Sequence, residues 1–212
     1  MTREDYLIFL QAMSPEDPLA WLREEALSRD VPIIRPDSLS FLRTLTAGKQ
    51  PRRILEIGGG IAYSALEMAQ ICPKAQVDSI ESDTERVRLA EQFIDKTGSA
   101  VKMLEGDAQE VLKHLDGPYD LIFLDGPKAQ YGAYWPKIRS LLAPGGWFLA
   151  DNLLQEETLP ESRFAVERRD RTIHRRLREF AETVLNDPAF TACLVQVGDG
   201  MLWAVKEAEY EV

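Results

Sequence analysis

The chain has 212 residues, 25 of them basic and 35 acidic, for a formal net charge of −10. That length suits one domain with an ample core, and 45% hydrophobic with 28% charged residues is ordinary for a globular protein. Two cysteines, Cys72 and Cys193, exclude a disulfide framework, two histidines, His114 and His174, exclude an imidazole-built site, and no apolar run reaches the roughly 18 residues of a membrane helix, while the acidic balance weighs against a nucleic-acid partner.

In chain order, residues 1–50 read as helices. Tyr6, Leu7, Phe9 and Leu10 give one apolar stripe, and Leu19, Trp21, Leu22 and Leu27 another. Pro32 and Pro36 break the pattern, and Asp37 or Ser38 is placed to cap a helix carrying Leu39, Phe41, Leu42 and Leu45. No signal-peptide pattern opens the chain, so a reduced, cytoplasmic setting is expected.

From residue 52, short apolar runs alternate with helical patterns. The strands are Ile54–Ile57, Val77–Ile80, Val101–Leu104, Leu121–Leu124 and Trp147–Ala150; the helices between them are Ile61–Ile71, Thr84–Thr97, Ala108–Leu115 and Tyr131–Leu142. Such alternation means a parallel sheet with helices on both faces. A charged helix over 161–186 follows. Strands Thr191–Val197 and Met201–Val205 flank a Gly198-Asp199-Gly200 turn. The expected fold is a doubly wound, Rossmann-like α/β sheet of seven strands, mostly parallel, with an antiparallel C-terminal hairpin strand and N-terminal helices. We expect one domain over 1–212, with residues 1–50 capping a core of 51–212.

Ligands of such sheets bind at the carboxyl ends of the strands. Gly58-Gly59-Gly60 ends the first strand, and Glu81 ends the second, 23 positions beyond Gly58 and placed to accept both hydroxyls of a ribose. A dinucleotide fingerprint wants a third small residue where Tyr63 stands, which disfavours a nicotinamide oxidoreductase. S-adenosylmethionine makes no such demand, and its cationic sulfur suits acids such as Glu56. Asp125 ends the fourth strand; Asp151 and Asn152 end the fifth. Neighbouring strands lie about 4.8 Å apart, so these side chains can converge on one hard, all-oxygen site suited to Mg²⁺, or to Ca²⁺ or Mn²⁺. Lys128 is the candidate general base, because a dication beside a lysine favours the neutral amine. Read singly, each of these residues also fits a helix cap or a surface charge.

The segments RILEIGGGIAYSALEMA, SIESD, EGDAQEVL, YDLIFLDGPKAQY and LAPGGWFLADNLL resemble the cation-dependent class I O-methyltransferases of the catechol and caffeoyl-CoA type. Within that group, VPIIRPDSL, RRDRTIHRRL and FTACLVQVGDGMLWAVK resemble the bacterial tRNA 5-hydroxyuridine methyltransferases. The resemblance implies metal ligation by Asp125, Asp151 and Asn152 and a base at Lys128. It also implies methyl-donor contacts from Ile34, Gly58, Ser64, Glu81, Asp107 and Ala108, and a homodimer in which the first 30 residues cover the site or join the subunit contact. One departure is Ala62, where the family has glycine.

The acceptor stays open between 5-hydroxyuridine in tRNA and a small catechol-like or phenylpropanoid-CoA substrate, and a non-catalytic RNA-binding module is the rival outside enzymology. A 5-hydroxyuracil pairs O5 with O4 much as a catechol pairs its oxygens. Between Arg163 and Arg178 seven arginines face only Glu167 and Asp170, a local excess of +5. Arg168, Arg169, Arg171, Arg175 and Arg176 are the RNA candidates, through phosphate contacts, although such a helix also forms ordinary surface ion pairs. Tyr131, Tyr134 and Trp135 can stack on an acceptor ring or pack in the core.

Overall fold

A computed structural model describes residues 17–154, 167 and 171–208. The N-terminal stripe at Tyr6 to Leu10, the residues Arg168 and Arg169, and the start of the charged helix lie outside the described residues. Helices α1 (Ala20–Ser28) and α2 (Pro36–Lys49) precede β1 (Arg53–Ile57), α3 (Tyr63–Ile71), β2 (Gln76–Glu81), α4 (Thr84–Thr97), β3 (Val101–Glu105), α5 (Ala108–Lys113) and β4 (Tyr119–Leu124). A short 3₁₀ turn (Lys128–Gln130) leads to α6 (Tyr131–Leu141), β5 (Leu142–Ala150), α7 (Arg171–Leu185), β6 (Phe190–Val195) and β7 (Met201–Lys206).

The strands form one sheet in the order β3-β2-β1-β4-β5-β7-β6. The first five run parallel, and β7 enters antiparallel between β5 and β6. The expected doubly wound, seven-stranded architecture is therefore present. Strand order reverses between β1 and β4, and that switch point is where a crevice opens above the carboxyl ends.

Period-two alternation inside apolar strands decides which helix each side chain meets. In β4, Leu121 and Phe123 pack with α1, α2 and α3, while Ile122 and Leu124 pack with α5, α6 and α7. Both sheet faces are covered, which is why these strands are apolar throughout. On α7, Leu177, Phe180, Ala181 and Val184 are buried at helical spacing, and Arg175, Arg176 and Arg178 are exposed. Among the described residues, no helix is long and apolar enough to cross a membrane.

Three local expectations are corrected. Helix α2 starts at Pro36 with Arg35 at its cap position, so neither Asp37 nor Ser38 caps it; proline at the first helical position loses no hydrogen bond there. The helix after the glycines begins at Tyr63 instead of Ile61, since Ala62 has a left-handed backbone with φ 66°. Strand β5 begins at Leu142 instead of Trp147, with a register shift against β4 that absorbs the Pro144-Gly145-Gly146 stretch.

Candidate active site at the carboxyl ends of the strands

A cavity of about 440 Å³ lies above the switch point. Eight of the nine expected cofactor and metal residues line it together: Ile34, Gly58, Glu81, Asp107, Ala108, Asp125, Asp151 and Asn152. They come from the α2 entrance, from loops after β1, β2 and β3, and from the ends of β4 and β5. The ends are held by continued ladder bonds: Asp125 N donates to Ile57 O at 2.9 Å and Asp151 N to Leu124 O at 3.0 Å.

On the β1–β3 side, Gly58 N and Gly59 N both donate to Ile80 O at 2.9 Å, folding the loop over β2. Gly58 has φ 98°, and a Cβ there would lie 2.3 Å from the Asp125 carbonyl oxygen, so only glycine fits. Glu81 is buried and tied down by backbone donors: Gly60 N to Oε2 at 2.9 Å, and Ser82 N and Asp83 N to Oε1 at 2.8 and 2.9 Å. Its carboxylate still faces the cavity. Asp107 caps α5, its Oδ1 accepting from Gln109 N at 2.9 Å, which fixes the adjoining Ala108 at the cavity wall. The left-handed backbone at Ala62 is the position that favours glycine; a non-glycine residue there costs about 1–2 kcal/mol.

Ser64 does not line the cavity. Its hydroxyl donates to Glu56 Oε1, while Ser79 donates to Glu56 Oε2, both at 2.5 Å. Glu56 sits fully buried beneath the floor, and burial, with Glu81 adding to it, pushes its carboxyl up to about 7 against the pull of the two hydroxyls. Ser64 is the second residue of α3 and is buried, so it supports the floor from below through Glu56.

On the β4–β5 side, acids crowd. Burial, reinforced by Asp151 and Glu56, pushes Asp125 up to about 8. Burial raises Asp151 to about 6, while Asn152 N, donating to its Oδ1 at 2.7 Å, pulls the other way. Asn152 Nδ2 donates to Asp125 Oδ1 at 2.7 Å, and its φ of 64° turns the chain so that the amide meets Asp125. Among the described residues, no group of three or more His, Cys, Asp or Glu side chains is placed to hold a metal ion. The convergent set here is two carboxylates and one amide. Mutually repelling carboxylates beside an amide are hard oxygen donors and fit a divalent cation. Lys128 stands outside the cavity wall at the start of the 3₁₀ turn, close enough for its charge to act on Asp125.

Of the aromatics, Tyr131 and Trp135 are core residues in contact with Phe180, and Tyr134 is buried but lines the cavity. Of the described arginines on α7, Arg175 pairs with Glu179 at 2.9 Å and Arg176 donates to Ala129 O at 3.2 Å, one residue beyond Lys128. Sequence reasoning missed Arg35, Ser82, Arg86 and Asp199, which also line the cavity. Asp199 arrives from the β6–β7 turn; the Gly-Asp-Gly signal marked that turn but not its neighbour across the sheet.

The family model described as O-methyltransferase matches residues 14–207. The catechol O-methyltransferase of Niastella koreensis is 32% identical over 130 residues, which span 58% of this chain and 59% of that enzyme. A Mycobacterium avium protein provisionally named an O-methyltransferase is 30% identical over 96% of this chain and 92% of its own length. Among solved structures, the Podospora anserina methyltransferase PaMTH1, bound to SAH, superposes with a TM-score of 0.81 at 26% identity, covering 96% of this chain and 94% of that one.

Proposed function

The chain belongs to the O-methyltransferase family, and from that premise we propose that it moves a methyl group from S-adenosylmethionine to a hydroxyl beside a second oxygen, assisted by Mg²⁺ or another divalent cation, with 5-hydroxyuridine in tRNA as the acceptor. The observation that carries the reading is the convergence of Glu81, Gly58, Asp125, Asp151 and Asn152 on one cavity.

S-adenosylmethionine supplies a methyl group on a cationic sulfur, and transfer leaves a neutral thioether. Glu81 and the Gly58–Gly60 turn hold the ribose, and the wall at Asp107 and Ala108 takes the adenine. The acids on the floor favour the positive sulfur electrostatically. Asp125, Asp151 and the Asn152 amide would hold the cation, which would lower the pKa of the acceptor hydroxyl. Lys128 Nζ takes the hydroxyl proton. Gly58 and Asp125 are in backbone contact, so donor and acceptor sites share one wall, and rate comes mainly from holding the two in line.

Support for tRNA is the arginine-rich α7, whose Arg176 rests on the loop that carries Lys128. Phosphates bound by this helix would run beside the acceptor. A small catechol-like acceptor is the second reading, favoured by the name of the Niastella relative. Mass spectrometry of nucleosides from total tRNA, with and without the gene, separates the two. Loss of 5-methoxyuridine with a rise in 5-hydroxyuridine is expected; unchanged levels of both would move the proposal to the catechol acceptor.

A further inference from the structure

Three segments far apart in sequence meet at the rim beside Asp151. The start of α2 and the β6–β7 turn are tied by Arg35 Nη1 to Asp199 Oδ1 at 2.9 Å and by Gly198 N to Asp37 Oδ2 at 3.1 Å. The chain after β5 joins the same turn, with Leu153 N donating to Gly200 O at 2.9 Å and Leu154 N to Asp199 O at 2.7 Å. At their centre is Ser38, buried, its hydroxyl 3.4 Å from Asp151 Oδ1.

The place of that hydroxyl is fixed from behind. A Cβ on Gly198 would lie 2.1 Å from Ser38 Oγ, and Gly198 has φ 55°, so the turn presses on the serine only because it carries no side chain. Ser38 Oγ thus sits between the turn and the carboxylate. Asp151 Oδ1 also accepts from Asn152 N, so this oxygen has donors on two sides. Its rotation about χ2 is restricted, which fixes the carboxylate of a residue that lines the cavity.

We infer that Ser38 is a positioning residue for Asp151, held in register by the clamp of Arg35, Asp37, Gly198 and Asp199, and that it sets the affinity of the cation site. The inference rests on the cation reading above. A polar group behind a ligating carboxylate orients it, and loss of such a group typically weakens metal binding by about 10–100-fold. The role is confined to the acceptor side. Ser38 does not line the cavity, and the hydrogen bonds that hold Glu81 lie beyond β1, so cofactor affinity is independent of it.

The test is titration of the full-length, EDTA-treated protein with Mn²⁺, read by the electron paramagnetic resonance of free and bound ion, in parallel with calorimetric titration of S-adenosylhomocysteine. Ser38→Ala should weaken Mn²⁺ binding about tenfold and leave S-adenosylhomocysteine affinity within about twofold of the wild type. Gly198→Ala, which drives a methyl group onto the same hydroxyl, should also weaken Mn²⁺. Wild-type Mn²⁺ affinity in Ser38→Ala overturns the inference and leaves the cation reading standing. Failure of the wild type itself to bind Mn²⁺ removes both. Should Ser38→Ala lose its cooperative melt, Gly198→Ala decides, and unchanged affinity there overturns the inference.

Discussion

The two halves of the cavity are built on opposite electrostatic plans. On the β1–β3 side the acid is satisfied within the chain: three backbone N–H groups hold Glu81. On the β4–β5 side acids crowd: burial, with Asp151 and Glu56 adding to it, pushes Asp125 up to about 8, and burial, with Asp199 and Asp37 adding to it, pushes Asp151 up to about 6. A satisfied carboxylate is a rigid template for neutral hydroxyls. A crowded pair is an attractor for positive charge. One sheet can hold both because adjacent strand ends are independently furnished, while Glu56 beneath the floor belongs to neither side and adds its charge to Asp125.

The largest break in this comparison should come from Asp125→Ala. Methyl transfer is expected to fall by ~10²–10³-fold, the usual cost of removing one electrostatic group at a reacting centre. S-adenosylhomocysteine affinity, by calorimetry, should change less than about threefold. A comparable loss of both would merge the two halves into one.

Glu81→Ala probes the other side. Hydrogen bonds to a charged group are worth about 1.5–3 kcal/mol, so S-adenosylhomocysteine should bind about 10–100-fold more weakly. Cation binding should persist. Cofactor affinity equal to wild type would deny Glu81 the ribose.

The smallest effect sharpens the picture behind the glycine loop. On α3, Glu67 is buried; burial and a hydrogen bond with Asp17 push it up to about 8, against the pull of Arg43. Tyr63 donates to Asp17 Oδ2 at 2.9 Å, and Asp17 is held below its ordinary range. The folded state therefore retains a proton on Glu67 that the unfolded chain has lost above about pH 4.5. Stability should fall as pH rises from about 5 to 8 and level off above. Glu67→Gln should flatten that part of the melting-temperature profile; an unchanged slope would place the titration elsewhere.

Much of the fold and most of the site were legible in sequence because both follow from strand periodicity. Once strand ends are located, a parallel sheet forces Gly58, Glu81, Asp125 and Asp151 to one edge. The miss at β5 has the same root: only the apolar run from Trp147 reads as strand, yet a register shift lets the strand begin at Leu142 and include Pro144-Gly145-Gly146. Ser64 stood among the methyl-donor contacts only through the family resemblance; its hydroxyl donates to Glu56 and it does not line the cavity. Arg35, Ser38 and Asp199 were beyond reach for another reason. Their partners stand 113 or 164 residues away, and no local pattern records which loop will cross the rim.

The contact between Gly58 and the Asp125 backbone has a consequence for how such a site can change. In the proposed reading, the distance between the methyl donor and the acceptor would be a property of the main chain, set where two loops touch with no side chain between them. Substitution can therefore remodel the rim, admitting a larger ring, a polymer or an anion, without altering the stroke of the transfer. The floor behaves as a fixed gauge, and diversity of acceptors is written around its edge.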